Sequence, residues 1–300
     1  MPVWPKLFYD GRMTSLWKST VVTLEMIKWE HSVFALPFAL TGAVLAASGW
    51  PAWRVVGWIV ICMVAARSAA MAFNRLADAR LDAANPRTAT RALPMGTLSS
   101  GFVGGFVVVS MAVFVLGAAM LNRLTLELSP VALAVVLAYS FMKRVTRWSH
   151  VVLGLALGIA PAAAWIAVRG SLDVRILVLT GAVLLWVGGF DVLYACQDFE
   201  HDRRVGLNSV PQAFGVEAAF WIARAMHVGM LVLLCWLVTL FGLGKVAMLG
   251  VAVVAALLLY EHAIISPRDM RRMNAAFFTL NGIISVLFFG FVAADVLLRR

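Results

Sequence analysis

The sequence predicts an all-α integral membrane protein, and three observations support this prediction. Of the 300 residues, 62% are hydrophobic and only 13% are charged. The mean hydropathy is +0.91. The apolar residues form runs of roughly 20, the length that an α-helix needs to cross a hydrocarbon core of about 30 Å. Together these features are typical of a polytopic helical membrane protein.

The apolar runs predict nine transmembrane helices. We expect them at 32–49, 52–73, 102–121, 129–142, 149–168, 174–195, 219–241, 245–263 and 275–297. The fourth run is short for a span, so this helix is expected either to begin earlier or to tilt. The domain that contains the nine helices is predicted to occupy residues 32–300.

The first 31 residues have a different composition. Trp4, Phe8 and Trp17 are interspersed there with several basic residues. Such a mixture predicts an amphipathic segment, residues 1–31, that lies in the membrane interface. No cleavable signal peptide is expected, because charged and polar groups occur throughout the first 30 residues.

Two acidic clusters stand at the ends of long apolar stretches. Their spacings are i, i+4, i+8 in the first and i, i+7, i+11 in the second, formed by Asn74, Asp78, Asp82 and by Asp191, Asp198, Asp202. On an α-helix, each of these spacings places the three side chains on one stripe. Each cluster is therefore expected to present its polar groups together on one side of a helix.

Like charges one helical turn apart destabilise a helix, so both clusters require a compensating cation. Oxygen ligands suit hard divalent ions. Mg²⁺ in particular is bound by one or two carboxylates together with water and substrate phosphate oxygens. The two clusters therefore predict a site in which Mg²⁺ bridges the protein to a diphosphate.

Basic residues are distributed unequally between the two sides of the predicted membrane domain. If the N-terminus is cytoplasmic, that side carries 16 of the 25 Lys and Arg residues and the opposite side carries 7. The positive-inside rule then places both acidic clusters at the cytoplasmic face. The net charge of +10 is mostly a consequence of this topology, and it also suits an anionic substrate.

Other kinds of site have little support in the sequence. Cys62, Cys196 and Cys235 fall in or beside apolar spans without metal-binding spacing, so we interpret them as small core residues. The chain contains neither a phosphate-binding loop of the nucleotide hydrolases nor a glycine-rich dinucleotide turn. The five histidines are scattered, and no catalytic role is expected for them. No nucleic-acid module is indicated.

The residues around both clusters resemble a known family. The segment from Arg67 to Gly96 resembles the first signature of the UbiA superfamily of intramembrane prenyltransferases, and the segment from Asp191 to Pro211 resembles the second. Supporting similarities lie at Tyr139, at Lys143 with Arg144, and at Asn281 with Gly282. The resemblance extends over most of the chain, from about residue 28 to residue 297.

The resemblance implies a nine-helix bundle around a central cavity, with a cytoplasmic cap formed by the loops that carry the motifs. It implies transfer of a polyprenyl group from its diphosphate to an acceptor. Carried over residue by residue, Asn74, Asp78 and Asp82 would bind one Mg²⁺, and Asp198 and Asp202 another. Lys143 and Arg144 would contact the phosphates, Lys as a point charge and Arg as a fork.

Three further residues are candidates for the reacting end of the site. Arg67 lies seven residues before Asn74 and would bind diphosphate or an acceptor carboxylate, or would pair structurally with a motif acid. Asp191 would orient the acceptor's hydroxyl or take up a proton, or would serve only at a helix end. Tyr194 would face the carbocation, or would pack in the core. Arg87 and Arg91 are either phosphate ligands or only positive-inside charges.

The acceptor and the class of protein leave alternatives. The resemblance favours 4-hydroxybenzoate as the acceptor, in respiratory quinone biosynthesis at the cell inner membrane. However, the pair Asn74-Arg75 and the run from Lys28 to Ala39 are similar to a subgroup that includes enzymes prenylating 1,4-dihydroxy-6-naphthoate on the futalosine route to menaquinone. The alternative of another class is a cation-coupled transporter, but such carriers usually place their acids near the bilayer midplane.

Overall fold

The computed structural model describes Val22, Thr23, Glu25, residues 35–273 and residues 275–299, apart from the side chains of 275–277. The predicted interfacial segment 1–31 therefore lies outside the described residues, except for three positions. The α-helices are α1 (Leu36–Ala47), α2 (Trp53–Ala77), α3 (Ala79–Ala84), α4 (Ser100–Leu121), α5 (Arg123–Val145), α6 (Ser149–Arg169), α7 (Leu177–Ala195), α8 (Phe199–Val205), α9 (Val210–Phe214), α10 (Val216–Leu240), α11 (Lys245–Ile264) and α12 (Asn281–Leu298). Short 3₁₀ turns span Val174–Ile176 and Cys196–Asp198, and a π-helical turn spans Ala275–Leu280.

Eight of the helical segments in the described part of the chain are long and apolar enough to cross a membrane. They are built on α2, α4, α5, α6, α7, α10, α11 and α12. The first predicted span, 32–49, corresponds to α1, which is apolar but has only 12 described residues. The all-helical membrane fold is thus confirmed, while the count of nine remains a prediction.

The fourth predicted span is longer than the apolar run suggested. The prediction placed it at 129–142, whereas α5 runs over 23 residues. It begins earlier because the Asn122 side chain caps it, accepting a hydrogen bond from Thr125 N–H at 2.9 Å. At the other end, Lys143 and Arg144 extend the last turn, where positive charge favours the helix dipole. Both extensions are polar, so hydrophobicity alone does not reveal them.

Helix α6 lies at the centre of the bundle and packs against α1, α5 and α7. Glycines allow two of these close approaches. A Cβ at Gly42 of α1 would stand 2.3 Å from the carbonyl oxygen of Pro161, and a Cβ at Gly154 would stand 2.3 Å from that of Leu184. Small residues at helix contacts are a common means of close packing in membranes. The backbone of α6 is therefore fixed tightly on two sides.

The bundle differs in packing on the two sides of α1 and α6. On one side, α1, α7, α10, α11 and α12 share a dense core in which Phe38 lies against Trp186 and Phe288, with ring centroids 4.9 and 5.6 Å apart. On the other side, α2, α4 and α5 face α6 across a cavity whose walls include many alanines. Bulky side chains fill one half of the bundle, and small ones leave space in the other.

Both acidic motifs cross a break in the helix. Helix α2 ends at Ala77 and α3 begins at Ala79, with Asp78 between them at φ −97° and ψ 5°. Asp198 has almost the same conformation, φ −99° and ψ 5°, at the start of α8. Regular helical geometry is therefore interrupted at these two residues, although hydrogen bonds of one helical turn still link Asn74 to Asp78 and Asp78 to Asp82. The short helices α3 and α8 follow the two interruptions.

Candidate active site

Asp78 connects the first motif to the end of α5. Its Oδ1 accepts a hydrogen bond from Arg144 Nη2 at 2.8 Å, and its Oδ2 accepts one from Asn74 Nδ2 at 3.2 Å. The same Arg144 nitrogen also donates to the carbonyl oxygen of Ala77 at 2.6 Å. Burial raises the pKa of the Asp78 carboxyl, and the hydrogen bond from Arg144 lowers it only in part. Three predicted site residues thus meet at this helix break.

Asp82 is buried one turn further on. Its Oδ1 accepts a hydrogen bond from Arg91 Nη1 at 2.6 Å, while Arg75 Nη1 approaches Oδ2 only to 4.0 Å. The Thr88 hydroxyl donates to the backbone carbonyl of Asp82 at 3.0 Å, which folds the following loop back onto the motif. Among the described residues, no hydrogen-bond donor reaches the buried Oδ2. This oxygen therefore has a distant ion pair with Arg75 but no hydrogen bond, and a metal ion could serve as its direct partner.

Asp198 of the second motif binds an arginine from the loop that follows the first motif. Arg87 donates two hydrogen bonds to its carboxylate, from Nε to Oδ1 at 2.8 Å and from Nη2 to Oδ2 at 2.5 Å. The third nitrogen of Arg87 donates to the Tyr194 hydroxyl at 3.3 Å. Burial, the largest single influence, lowers the pKa of the Arg87 guanidinium, but the hydrogen bonds that it donates to Asp198, the charge of Asp198 and the contact with Tyr194 together raise it above its usual value. The two motif regions are therefore joined directly.

Asp202 is the most deeply buried of the motif acids, with 2% of its surface exposed. The Ser209 hydroxyl donates a hydrogen bond to its side chain, and the charge of Lys143 acts on it. Lys143 also acts on Asp78, so this lysine lies within electrostatic reach of both motifs. The Oδ2 atom of Asp202 is buried and finds no hydrogen-bond partner within the described part of the chain.

The donor set fits Mg²⁺ on the evidence of these atoms. Each motif contains one buried carboxylate oxygen without a hydrogen bond, Oδ2 of Asp82 and Oδ2 of Asp202. All the predicted ligand atoms are oxygens, which is what Mg²⁺ requires. In the described residues no group of three His, Cys, Asp or Glu side chains could by itself hold a metal ion. Mg²⁺ bound at these acids would therefore need water and phosphate oxygens as its remaining ligands.

A cavity of about 150 Å³ lies on the membrane side of the first motif. Arg67, Asn74 and Tyr139 are the polar residues of its lining. The other lining residues are apolar, chiefly alanine, leucine and methionine side chains of α2, α5 and α6. The cavity therefore has a polar end beside Asn74 and an apolar body.

A second cavity of about 230 Å³ continues toward the opposite face. It shares Met63, Phe114 and Ala163 with the first cavity and reaches Leu121 and Thr125. Along α2 the two cavities extend from Ile59 to Asn74, which is about 22 Å at a rise of 1.5 Å per residue. The pair forms one long apolar space with a polar mouth.

The remaining predicted residues lie near this mouth. Asp191 accepts a hydrogen bond at Oδ2 from His150 Nδ1 at 2.6 Å, and its charge acts on Tyr139. The Tyr194 ring stands 6.1 Å from the ring of Phe278, and the guanidinium carbon of Arg87 lies 5.6 Å from the Tyr194 centroid. In this structure the guanidinium of Arg87 therefore lies near the Tyr194 ring, which the sequence predicts to face a carbocation.

Two features of this site do not follow from the sequence. The sequence leaves Arg87 and Arg91 open between phosphate binding and a topological role, whereas both pair with motif acids. It indicates no role for His150, which pairs with Asp191 41 residues away. The sequence contains a hint of the arginine pairs, because both arginines follow the first motif in a polar loop. It contains no hint of the histidine pair, because that contact depends on how α6 packs against α7.

Comparisons with known proteins agree with this geometry. The UbiA prenyltransferase family matches residues 35–283. The 4-hydroxybenzoate octaprenyltransferase of Vibrio parahaemolyticus is 32% identical over 258 residues, covering 84% of this chain and 88% of that enzyme. The enzyme of the same name from Nitrosospira multiformis is 33% identical over 264 residues, covering 87% and 89%.

Two solved structures are similar over most of the chain. The apo structure of a UbiA homolog from Aeropyrum pernix has a TM-score of 0.82 and 32% sequence identity, covering 89% of this chain and 98% of that one. A UbiA homolog from Archaeoglobus fulgidus, solved with DMAPP and Mg²⁺ bound, has a TM-score of 0.72 at 18% identity, covering 91% and 98%. The second similarity concerns the fold alone.

Proposed function

This chain belongs to the UbiA prenyltransferase family and is a multi-pass membrane prenyltransferase, and on that premise we propose that it transfers a polyprenyl group from its diphosphate to 4-hydroxybenzoate, with Mg²⁺, in respiratory quinone biosynthesis. The observation that carries this proposal is the long apolar space whose polar mouth, at Arg67, Asn74 and Tyr139, lies beside two buried acidic motifs. A substrate with a diphosphate head and a hydrocarbon tail matches that arrangement.

The tail of the substrate would lie along the two connected cavities. Their shared walls are apolar, so burial of an isoprenoid chain there removes hydrocarbon from contact with polar groups. The head would remain at the mouth, next to Asn74. The reacting carbon of the prenyl group would then stand between the motifs and Asp191.

The motif residues would hold the diphosphate end through Mg²⁺. Asn74, Asp78 and Asp82 would bind one ion, and Asp198 and Asp202 another. When bound, Mg²⁺ supplies positive charge that stabilises the diphosphate as a leaving group. The buried Oδ2 atoms of Asp82 and Asp202 support this assignment because each lacks a hydrogen bond among the described residues.

Basic side chains would bind the phosphates directly. Arg87, Arg91 and Arg144 form ion pairs with Asp198, Asp82 and Asp78, respectively. Once these acids bind a cation, the arginines lose their anionic partners and can turn to phosphate oxygens, which suit the guanidinium fork. Lys143, which acts on both Asp78 and Asp202, would add a point charge between the motifs.

The acceptor would enter the same mouth from the cap side. The carboxylate of an aromatic acid would pair with Arg67, and its hydroxyl group would donate to Asp191. Tyr194 would contribute its ring and its hydroxyl to the wall of the site. This arrangement orients the ring carbon that attacks the prenyl group, because the two ends of the acceptor are held by groups of opposite charge.

The site would face the cytoplasm of a cell inner membrane. If the N-terminus is cytoplasmic, the predicted topology would put 16 of the 25 Lys and Arg residues on the side of the acidic motifs. The family membership favours this enzyme over the transporter alternative, as does the position of the acids at helix ends rather than at the middle of the bilayer.

A prenyl-transfer assay in membranes would test the proposal. The protein would be incubated with a polyprenyl diphosphate and Mg²⁺, with 4-hydroxybenzoate and 1,4-dihydroxy-6-naphthoate offered in parallel and the products identified by mass. Prenylated hydroxybenzoate is expected, and a chelator should abolish its formation. If only the naphthoate were prenylated, it would take the place of 4-hydroxybenzoate as the acceptor. If the diphosphate bound but neither product formed, both acceptors would be refuted.

A binding measurement would separate the enzyme from a carrier. Mg²⁺ and a prenyl diphosphate together should raise the melting temperature in detergent, because a ligand that binds only the folded state stabilises it. Either component alone should have much less effect. A response to the cation alone, unaffected by the diphosphate, would favour the transporter.

A further inference from the structure

A histidine outside both motifs holds the carboxylate of Asp191. His150 lies in the first turn of α6 and has no exposed surface. Its Nδ1 is 2.6 Å from Asp191 Oδ2, and its Nε2 accepts a hydrogen bond from the backbone N–H of Val210 at 3.3 Å. A backbone N–H can only donate, so Nε2 carries no proton. The neutral ring therefore has its proton on Nδ1 and donates it to Asp191.

Close helix packing fixes this pair. Gly154 and Gly158 allow α6 and α7 to approach, since a Cβ at Gly154 would stand 2.3 Å from Leu184 O and one at Gly158 would stand 2.8 Å from Thr180 O. The imidazole therefore has little room to turn. It engages Oδ2 of Asp191, and among the described residues no hydrogen bond reaches Oδ1, so this oxygen can accept one from a ligand.

The same histidine connects Asp191 to the second motif. Val210, which donates to His150, is the first residue of α9. Ser209 immediately before it caps α9 and donates a hydrogen bond to Asp202. The chain of contacts thus runs from Asp191 through His150 and the turn at Ser209 to Asp202. The orientation of Asp191 is tied to the turn that holds a diphosphate-side acid.

We propose that His150 is a positioning residue for the acceptor, which fixes Asp191 so that its Oδ1 faces the acceptor's hydroxyl group. This inference rests on the proposed function. His150 itself neither gives up nor receives a proton in this role, because both ring nitrogens remain engaged. On the same face of α6, Leu153 and Leu157 line the cavity one and two turns further along, which places the His150 end of this face at the mouth.

Replacement of His150 by glutamine and by leucine distinguishes positioning from general support of the fold. A glutamine amide can donate to Asp191 and accept from Val210, whereas leucine fills the space and does neither. Ser149→Ala is the matched control, since Ser149 is an equally buried neighbour whose hydroxyl has no hydrogen-bond partner among the described residues. The measurements are kcat and KM for each substrate separately, with the melting temperature of each variant.

The His150→Leu variant is expected to lose about 10- to 100-fold in kcat/KM for the acceptor, because a buried hydrogen bond to a charged group is lost. KM for the prenyl diphosphate should change by less than about threefold, and His150→Gln should recover most of the loss. Ser149→Ala should resemble the wild type. Equal losses for both substrates, with no recovery in the glutamine variant, would show that His150 only supports the fold.

Two further comparisons keep the inference open to refutation. If the leucine variant does not fold, His150→Gln and Asp191→Asn are compared, and the loss specific to the acceptor is expected only in Asp191→Asn. A selective loss in neither variant would overturn the inference. A wild-type protein that prenylates no aromatic acid would refute the proposed function as well, whereas normal turnover with a non-selective His150 variant would refute only the positioning role.

Discussion

Replacement of Arg87 by glutamine should have opposite effects on two ligands. In the ligand-free protein Arg87 forms two hydrogen bonds with Asp198, at 2.8 and 2.5 Å. The proposed Mg²⁺ must compete with this arginine for the carboxylate. The Arg87→Gln variant should therefore bind Mg²⁺ alone more tightly, yet require more prenyl diphosphate for half-maximal turnover, because a phosphate ligand has been removed.

The size of the first effect follows from the exposure of the pair. Hydrogen bonds to charged groups contribute about 1.5–3 kcal/mol when buried, whereas exposed ion pairs contribute under about 1 kcal/mol. The Arg87 side chain is 38% exposed and that of Asp198 is 10% exposed, so the pair falls between these limits. A value of about 1–2 kcal/mol corresponds to about 5- to 30-fold tighter binding of Mg²⁺.

Isothermal titration of Mg²⁺ into the detergent-solubilised protein, without diphosphate, measures this change. Arg80→Gln is the control, since Arg80 is exposed on α3 and forms no ion pair with the described residues. It removes the same formal charge without releasing a motif acid. Unchanged or weaker Mg²⁺ binding in Arg87→Gln, or an equal gain in Arg80→Gln, would refute the competition between arginine and cation.

Three further predictions concern the ligands, the cavity and the packing. Asp82→Asn or Asp202→Asn should lower turnover by about 100- to 1000-fold without loss of the circular dichroism of the helices, whereas Asp173→Asn in an exposed ion pair should not. Ala163→Phe should shorten the prenyl chain that the protein accepts, since Ala163 lines both cavities. The chain length is measured from the products that form when a mixture of prenyl diphosphates is offered. The control Leu155→Phe, on the exposed face of α6, should leave the chain length unchanged. Gly154→Ala should lower the free energy of unfolding by about 1–3 kcal/mol in reversible denaturation, because its Cβ would meet Leu184 O at 2.3 Å, whereas Gly104→Ala, with open space around it, should not lower it. An unchanged stability of Gly154→Ala would contradict the close approach of α6 and α7.

Much of the fold could be predicted from the sequence because apolar runs dominate it. The eight long helical segments correspond to eight of the predicted spans. Their ends were less predictable where polar residues continue the helix, as Thr125 and Glu127 do in α5. The breaks at Asp78 and Asp198 could not be predicted from spacing, since i, i+4 patterns are equally compatible with an unbroken helix.

The identity of the motif acids was accessible from the sequence, but their partners were not. Spacing along one helix relates residues within a motif, whereas the contact of Arg87 with Asp198 joins positions 111 apart. The same limit applies to His150 and Asp191. Such contacts depend on which helices become neighbours, and in this protein glycines such as Gly154 determine that arrangement.

The apolar space is packed tightly on the side of α6 and α7 and loosely on the side of α5. On one side the backbones of α6 and α7 touch, while on the other α5 has only three buried residues, Ser129, Leu133 and Ser140. An aromatic acid that gains an isoprenoid chain changes its preferred solvent from water to lipid. A thin wall toward the bilayer gives such a product a short path into the phase where it is soluble, while the firm wall keeps the acids and the histidine in register. We therefore expect the prenylated product to leave toward the lipid and the aromatic acid to arrive from the water.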